Sequence, residues 1–182
     1  LPIDGNDKDF FIAVGRLTRQ KNFIYLISEF KKFLEIYPNE KLLIFGDGEL
    51  KKKILKKIEN IGMSDNIKLC GYTDNIFKYM LKSKAFILSS LWEDPGFVMI
   101  ESSMCNLFVI SSNCKNGPKE FLLNGKAGLI FKSNIKEELF KKLDEFKKLD
   151  EKTKFTKKVL AKKNARKFTL FRHYSSFKNI ID

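Results

Sequence analysis

FIAVGRLTRQKNFIYLISEFKKFLEIYPNEKLLIFGDGE, residues 11–49, is the stretch that decides the fold of this chain. A short apolar run, residues 11–14, ends at a glycine, as buried parallel strands often do. Apolar side chains then recur every three or four positions from Phe23 to Tyr37, which predicts an amphipathic helix ending near Pro38. A second apolar run, residues 42–45, closes at another glycine. The order predicts a strand–helix–strand unit with parallel strands.

The same alternation continues along the chain. Further apolar runs at 67–70, 85–88, 108–110 and 128–131 predict four more strands. The helical patterns between them include a short helix over roughly residues 75–82 and another near residues 97–105. Only helix is predicted after residue 135. The whole pattern predicts an α/β fold, a Rossmann-like doubly wound parallel sheet of about six strands with C-terminal helices. We expect one domain over residues 1–182, with a core at about 10–135 and the C-terminal helices at 136–182.

The composition limits the classes of partner. The formal charge is +13, but the lysines alternate with apolar positions on predicted helices, which is typical of solvated faces. No pattern of an RNA-binding domain, zinc finger or helix-turn-helix accompanies them, so we do not expect nucleic acid as a partner. An anionic membrane surface remains a candidate partner. Without a signal peptide or a membrane-spanning run, we expect a cytoplasmic protein, with possible peripheral contact to the inner face of the membrane.

Three loops follow predicted strands and carry polar residues. Gly15 allows a sharp turn, after which Arg16 and Lys21 lie where cations and helix N-terminal amides can converge on a phosphate; a solvated basic loop is the alternative. The segment Gly46–Gly48 lacks the dinucleotide-binding spacing and is most simply a turn. The segment 116–120 fits a connecting turn or a ligand contact equally well.

The stretch EDPGFVMIE, from Glu93 to Glu101, is the most informative for function. Asp94 could cap a helix that has Pro95 at its first position, and Gly96 would let a ligand approach the backbone. Glu93 stays on the loop, whereas Glu101 falls one to two turns into the helix. Because a carboxylate can accept two hydroxyl hydrogen bonds, it suits a sugar diol. The residues alone also fit a structural role for Glu101 or a hydrolytic acid–base pair.

Four motifs in this order, GRLTRQKN, FGDGE, LCGY and SSLWEDPGFVMIE, resemble the C-terminal, donor-binding domain of GT4 retaining glycosyltransferases, which have the two-domain GT-B fold. The resemblance covers about residues 10–135. It implies binding of a nucleoside diphosphate sugar, a UDP-sugar or a GDP-sugar, with neither a metal nor another cofactor. The chain departs from the usual Glu-Gly-Phe-Gly-Leu of the family, because it reads EDPGF from residue 93.

The resemblance also implies a role for each matching residue. Arg16 and Lys21 match the basic pair that binds the donor diphosphate and stabilises the leaving nucleotide, and Glu93 matches the carboxylate beside the transferred sugar. These three are the predicted catalytic residues. Glu101 matches the carboxylate on the ribose hydroxyls. The other predicted donor-binding residues line the sugar, the phosphates or the base: Gly15, Gly46, Gly48, Tyr72, Thr73, Gly96, Phe97 and Val98.

The implied reaction moves a hexose from the donor to a hydroxyl of a surface glycan or a lipid-linked acceptor. In the family, the catalytic His and the acceptor site belong to an N-terminal domain that lies outside this chain, and His173 does not match that His. We therefore expect this chain to bind nucleotide but not to catalyse transfer alone. Two alternatives are half of an NDP-sugar epimerase or related GT-B enzyme, and a non-catalytic basic binding module.

Overall fold

A parallel sheet forms the centre of the computed structural model, which describes residues 9–94 and 96–168. Its six strands follow the order β3-β2-β1-β4-β5-β6. The strands are β1 (Phe11–Val14), β2 (Leu42–Phe45), β3 (Ile67–Gly71), β4 (Ala85–Leu88), β5 (Phe108–Ser112) and β6 (Leu129–Phe131). The predicted doubly wound sheet is therefore confirmed.

Helices connect the strands on both faces of the sheet. They are α1 (Phe23–Ile36), α2 (Lys51–Asn60), α3 (Phe77–Met80), α4 (Phe97–Met104), α5 (Pro118–Phe121), α6 (Glu138–Lys148) and α7 (Glu151–Ala165). Short 3₁₀ turns lie at Arg19–Lys21, Leu123–Gly125 and Arg166–Phe168. Helix α3 is shorter than the predicted 75–82. His173 lies outside the described residues.

The core consists of two apolar layers, one on each face of the sheet. Successive residues of β1 alternate between them: Phe11 belongs to the layer covered by α1, α2 and α6, and Ile12 to the layer covered by α3, α4, α5 and α7. This alternation is the period of two that a strand imposes on its side chains. The ring of Phe11 lies 5.6 Å from the ring of Phe30 and 5.5 Å from that of Phe146, in edge-on contacts. The C-terminal helices thus complete the core.

The strand order reverses between β1 and β4. Strand β1 pairs in parallel with β2 on one side and with β4 on the other. Chain connections leave β1 and β4 in opposite directions, so their carboxyl ends open onto one crevice. The loop that begins at Gly15 follows β1, and the loop that carries Glu93 follows β4. The fold therefore brings the two most informative motifs to the same crevice.

Candidate functional site

The loop after β1 is held by its buried residue, Leu17. The Leu17 N–H donates to the carbonyl oxygen of Asp47 at 2.9 Å, and the Leu17 carbonyl accepts from the N–H of Leu50 at 2.9 Å. The side chain of Arg16, between this anchor and Gly15, is exposed. No hydrogen bond or salt bridge joins it to another described residue. Arg16 is therefore available to an anion in the crevice.

A buried salt bridge links the loops after β1 and β4. The Nζ of Lys21 lies 2.6 Å from Oε1 of Glu93, and these side chains are only 13% and 3% exposed. The stem of Lys21 runs over Gly15, where a Cβ would come within 3.0 Å of the Lys21 Cε. Gly15 therefore makes room for the lysine. An ion pair this buried needs both partners, since removing one leaves an uncompensated charge.

Three further hydrogen bonds tie the same two loops together. The N–H of Leu91 donates to the carbonyl of Gln20 at 2.8 Å, and the Gln20 amide donates to the Trp92 carbonyl at 2.9 Å. The hydroxyl of Ser89 donates to the carbonyl of Lys21 at 2.7 Å. The positions of Lys21 and of the Glu93 loop are therefore set by one connected network.

Ser90 contacts the carboxylate of Glu93 directly and was not predicted from the sequence. Its hydroxyl donates to Oε1 of Glu93. Its carbonyl accepts from the hydroxyl of Ser112 at 2.7 Å and from that of Ser133 at 3.2 Å. The only sequence signal for this role is a polar pair, Ser89 and Ser90, placed directly after a buried apolar strand.

Helix α4 begins at Phe97, close to the predicted start, but its cap differs from the prediction. Its N-cap is Gly96, with φ 72° and ψ 46°, so the prediction of Asp94 as the cap was wrong. A left-handed conformation suits glycine, and it lets the chain pass close to Glu93, whose side chain lies 3.6 Å from the position of a Gly96 Cβ. No side chain caps the helix, and its first two amides, those of Phe97 and Val98, donate to no described residue and so remain free for a ligand. Pro95 lies outside the described residues.

Three predicted donor-binding residues lie at or near the start of α4. Phe97, the first helical residue, is 61% exposed, whereas Val98 is half-buried. Glu101 is also half-buried, and no hydrogen bond or salt bridge joins its carboxylate to another described residue. Phe97 and Glu101 thus remain accessible to a ligand.

The residues predicted at the ends of β2 and β3 fall into two groups. Gly46 and Gly48 serve close packing, because a Cβ on Gly46 would lie 2.0 Å from the Gly15 carbonyl oxygen and one on Gly48 would lie 2.8 Å from that of Leu17. Tyr72 follows the carboxyl end of β3 and is 75% exposed, and the adjacent Thr73 is half-buried. No hydrogen bond or salt bridge joins these four residues to the Lys21–Glu93 pair.

Burial favours the protonated, weakly reactive form of the described cysteines. Burial raises the pKa of the Cys70 thiol to about 11, and burial also raises the pKa of Cys114. Both thiols therefore stay protonated at neutral pH, and it is the thiolate that binds metals and attacks carbon. Over residues 9–94 and 96–168, no group of three or more His, Cys, Asp or Glu is placed to hold a metal ion. Metal independence itself stays a prediction.

Sequence comparison finds relatives among glycosyltransferases. An uncharacterised glycosyltransferase of Methanocaldococcus jannaschii is 41% identical over 152 residues, which cover 76% of this chain and 37% of that protein. The Campylobacter jejuni N-acetylgalactosamine-N,N'-diacetylbacillosaminyl-diphospho-undecaprenol 4-alpha-N-acetylgalactosaminyltransferase is 31% identical over 134 residues, which cover 74% of this chain and 36% of that enzyme. The chain thus spans about a third of the length of these relatives.

Solved structures share the fold. The Anabaena protein Alr3699/HepE in complex with UDP matches with a TM-score of 0.84 and 19% identity, over 96% of this chain and 49% of that one. The C-terminal domain of LpcC, a glycosyl transferase group 1 family protein from Francisella tularensis, matches with a TM-score of 0.74 and 16% identity, over 87% and 85% of the two chains. The sheet is therefore that of a C-terminal GT-B domain.

The family comparison agrees with the motifs at the ends of the strands. Residues 3–168 match the family described as Glycosyl transferases group 1, and this range includes every described residue. The resemblance to GT4 enzymes is confirmed. This chain belongs to the group 1 glycosyl transferases, and its fold is the Rossmann-like half of a GT-B enzyme.

Proposed function

We propose that the crevice between β1 and β4 binds a nucleoside diphosphate sugar, as the donor-binding domain of a retaining glycosyltransferase. The observation that carries the proposal is the arrangement of charge at this point of the sheet. Exposed Arg16, which has no ionic partner among the described residues, follows β1, and the buried pair of Lys21 and Glu93 joins β1 to β4. Parallel sheets of this order bind ligands where the strand order reverses.

Each charged group has a chemical task in this proposal. Arg16 and Lys21 bind the diphosphate and stabilise the negative charge that develops on the departing nucleotide, a task that metal ions perform in other transferases. The free amides at the start of α4 add hydrogen bonds to phosphate or sugar oxygens. Glu93 accepts a hydroxyl of the sugar, and Glu101 accepts the ribose hydroxyls.

We favour a UDP-sugar as the donor. UDP is bound in the solved structure of Anabaena HepE, and UDP with N-acetylglucosamine is bound in that of the pneumococcal O-GlcNAc transferase GtfA, both of which share this fold. Relatives include a poly(glycerol-phosphate) alpha-glucosyltransferase of Bacillus subtilis, 30% identical over 128 residues. The activities of these related proteins support transfer of a hexose to a hydroxyl of a surface glycan or a lipid-linked acceptor.

We also propose that transfer needs an N-terminal acceptor domain. The relatives are roughly three times as long as the matching segment, which leaves room for such a domain in the whole enzyme. In this proposal the crevice between β1 and β4 provides groups for the donor, and the N-terminal domain provides those for the acceptor. The isolated chain should therefore bind nucleotide without transferring sugar.

Calorimetric titration of the chain with UDP, GDP and ADP tests the proposal. We expect UDP to bind, and the Arg16→Ala variant to lose affinity for UDP but not for uridine, because only UDP carries the diphosphate. Arg19→Ala is the matched control, since Arg19 is an equally exposed arginine on the same loop. Glu101→Ala should weaken UDP and uridine alike, by about 1–3 kcal/mol, because both carry the ribose.

Two outcomes would overturn these assignments. Absence of nucleotide binding at millimolar concentration would reject the donor site and favour a basic binding module. Equal losses of UDP and uridine in Arg16→Ala would reject its phosphate role. An epimerase half is distinguished in the whole enzyme, since an epimerase converts the sugar nucleotide without any acceptor.

A further inference from the structure

We infer that Ser90 is a positioning residue, which orients the carboxylate of Glu93 so that the site recognises the sugar of the donor as well as its nucleotide. The inference rests on the proposed donor site. It concerns the carboxylate of Glu93, and in particular its Oε2. It assigns a role to a residue that makes no contact with the diphosphate in that proposal.

The two oxygens of Glu93 have different surroundings. Oε1 accepts from both the Nζ of Lys21, at 2.6 Å, and the hydroxyl of Ser90. Oε2 accepts no hydrogen bond from a described residue, and it lies 3.6 Å from the position of a Cβ on Gly96. The two donors therefore fix one oxygen and leave the other beside the glycine at which a ligand can approach the backbone.

The backbone of Ser90 is itself held by hydrogen bonds to its carbonyl. Ser90 is fully buried, and its carbonyl accepts hydroxyl hydrogen bonds from Ser112, at the end of β5, and from Ser133, beyond the end of β6. These contacts fix the Ser90 backbone to two neighbouring strands. The orientation of Glu93 is thereby set by the sheet rather than by the loop that carries it.

Lys21 alone does not fix this orientation in the proposed donor complex. Its ammonium ends a flexible four-carbon stem with three rotatable donors, so it can share its hydrogen bonds between a diphosphate and Oε1. The Ser90 hydroxyl, on a short and buried side chain, stays in place. With Ser90 removed, Glu93 would follow the lysine or rotate, and Oε2 would leave the position from which it accepts a sugar hydroxyl. The nucleotide contacts would be unchanged.

The test measures UDP and UDP-sugar binding side by side in Ser90→Ala. UDP-glucose, UDP-galactose and UDP-N-acetylglucosamine are the probes, and the readout is the ratio of the UDP-sugar affinity to the UDP affinity. We expect Ser90→Ala to lower this ratio by about tenfold for the best-bound sugar nucleotide, with UDP itself unaffected. A role in folding alone would leave the ratio unchanged.

Ser103→Ala is the matched control. Ser103 is equally buried, and its hydroxyl donates to the carbonyl of Met99 at 2.9 Å, away from Glu93. This variant should keep the wild-type ratio. If Ser90→Ala does not fold, Ser90→Cys keeps nearly the same volume with a weak donor and should lower the ratio in the same direction. Ser90→Thr retains the hydroxyl and should keep the ratio of UDP-sugar affinity to UDP affinity at the wild-type value.

The failures of the two proposals can be told apart. If the wild-type chain does not bind UDP, the donor site itself is rejected. If UDP binds but the ratio is the same in wild type and in Ser90→Ala, or UDP and UDP-sugar weaken equally, only the role of Ser90 is rejected.

Discussion

At the scale of single residues, close approach of two backbones shapes the site as much as charge does. Gly46 lies directly against the carbonyl of Gly15, so the ends of β2 and β1 are packed backbone to backbone. The Gly46 N–H also donates to the carbonyl of Gly71 at 2.8 Å, which ties in the end of β3. Any displacement at Gly46 is therefore passed directly to the loop that carries Arg16.

Replacement of Gly46 by alanine should be strongly destabilising. The new Cβ would lie 2.0 Å from the Gly15 carbonyl oxygen, at a backbone φ of +139° that side chains rarely adopt. We expect a loss of about 2–4 kcal/mol in the free energy of unfolding, measured with urea, because overpacking and backbone strain add. UDP affinity should also fall, since the Gly15 loop must shift.

Gly62→Ala separates backbone strain from overpacking. Gly62 has a φ of +67°, but a Cβ there meets no atom within 4 Å, so only backbone strain applies. We expect it to cost about 1 kcal/mol and to leave nucleotide affinity unchanged. Equal destabilisation by the two substitutions would contradict a packing role for Gly46.

The charged residues of the site were predicted from the sequence, but their pairing was not. Arg16, Lys21 and Glu93 follow from the motif and its position after a strand. That the ammonium of Lys21 lies on Glu93 depends on loops 72 positions apart, which no local pattern encodes. The same holds for Ser90, because its hydroxyl acts through a side-chain contact made only in the folded protein.

At the scale of elements, the long periodic segments were predicted well, and the differences from prediction lie in one short helix and one helix cap. Helix α1 ends at Ile36, just before Pro38, as its apolar period indicated. Helix α3, with 4 residues, is shorter than predicted, and α4 is capped by Gly96 rather than by Asp94. Short helices take their bounds from tertiary contacts, since few residues contribute to the period. The contact of Gly96 with Glu93 is such a case.

Helix α7 has the one side-chain N-cap among the α-helices of the described ranges. Asp150 accepts the Thr153 N–H at 2.8 Å and the Thr153 hydroxyl at 2.7 Å. Removal of this cap in Asp150→Ala should lower the melting temperature by a few degrees. Asp150→Asn should recover most of the loss. Asp65→Ala, at an exposed aspartate that caps no helix, should have little effect.

The same cap predicts a pH dependence. Hydrogen bonds from the side chain and backbone of Thr153 lower the pKa of Asp150 below its ordinary value. A lowered folded-state pKa means that the stabilisation is present above the pKa of an unfolded aspartate and is lost as the pH falls through the folded value. The difference in melting temperature between wild type and Asp150→Ala should therefore shrink in acid. A constant difference would contradict the cap.

At the scale of the whole molecule, the crevice between β1 and β4 and the basic surface lie on different elements. The site uses the carboxyl ends of β1 and β4, whereas many lysines lie on the C-terminal helices. No helix in the described ranges is long and apolar enough to cross a bilayer. Helix α7 contains 6 lysines and exposes two apolar residues, Phe155 at 59% and Val159 at 43%.

This combination on α7 predicts contact with an anionic membrane. Phe155 and Val159 are four positions apart and so share one helix face, which Lys152 and Lys163 extend at either end. Apolar side chains flanked by lysines are typical of helices that lie on anionic lipid. Binding to vesicles should require phosphatidylglycerol and weaken with salt, because both the attraction and its screening are electrostatic.

A double variant, Phe155→Ser with Val159→Ser, tests whether this face of α7 contacts the membrane. Its binding is measured by cosedimentation with phosphatidylglycerol vesicles and with phosphatidylcholine vesicles. It removes the apolar contact without changing the net charge, so we expect vesicle binding to fall by about tenfold or more. Ile36→Ser is the control, since Ile36 is 55% exposed at the end of α1.

If the double variant still binds like wild type, the apolar contact of α7 is rejected and the binding is due to charge attraction alone. Absence of binding by the wild-type chain would reject the membrane as a partner of this domain. Contact through α7 alone would leave the β1–β4 crevice free for the donor, because α7 covers a face of the sheet rather than the edge at which the crevice opens.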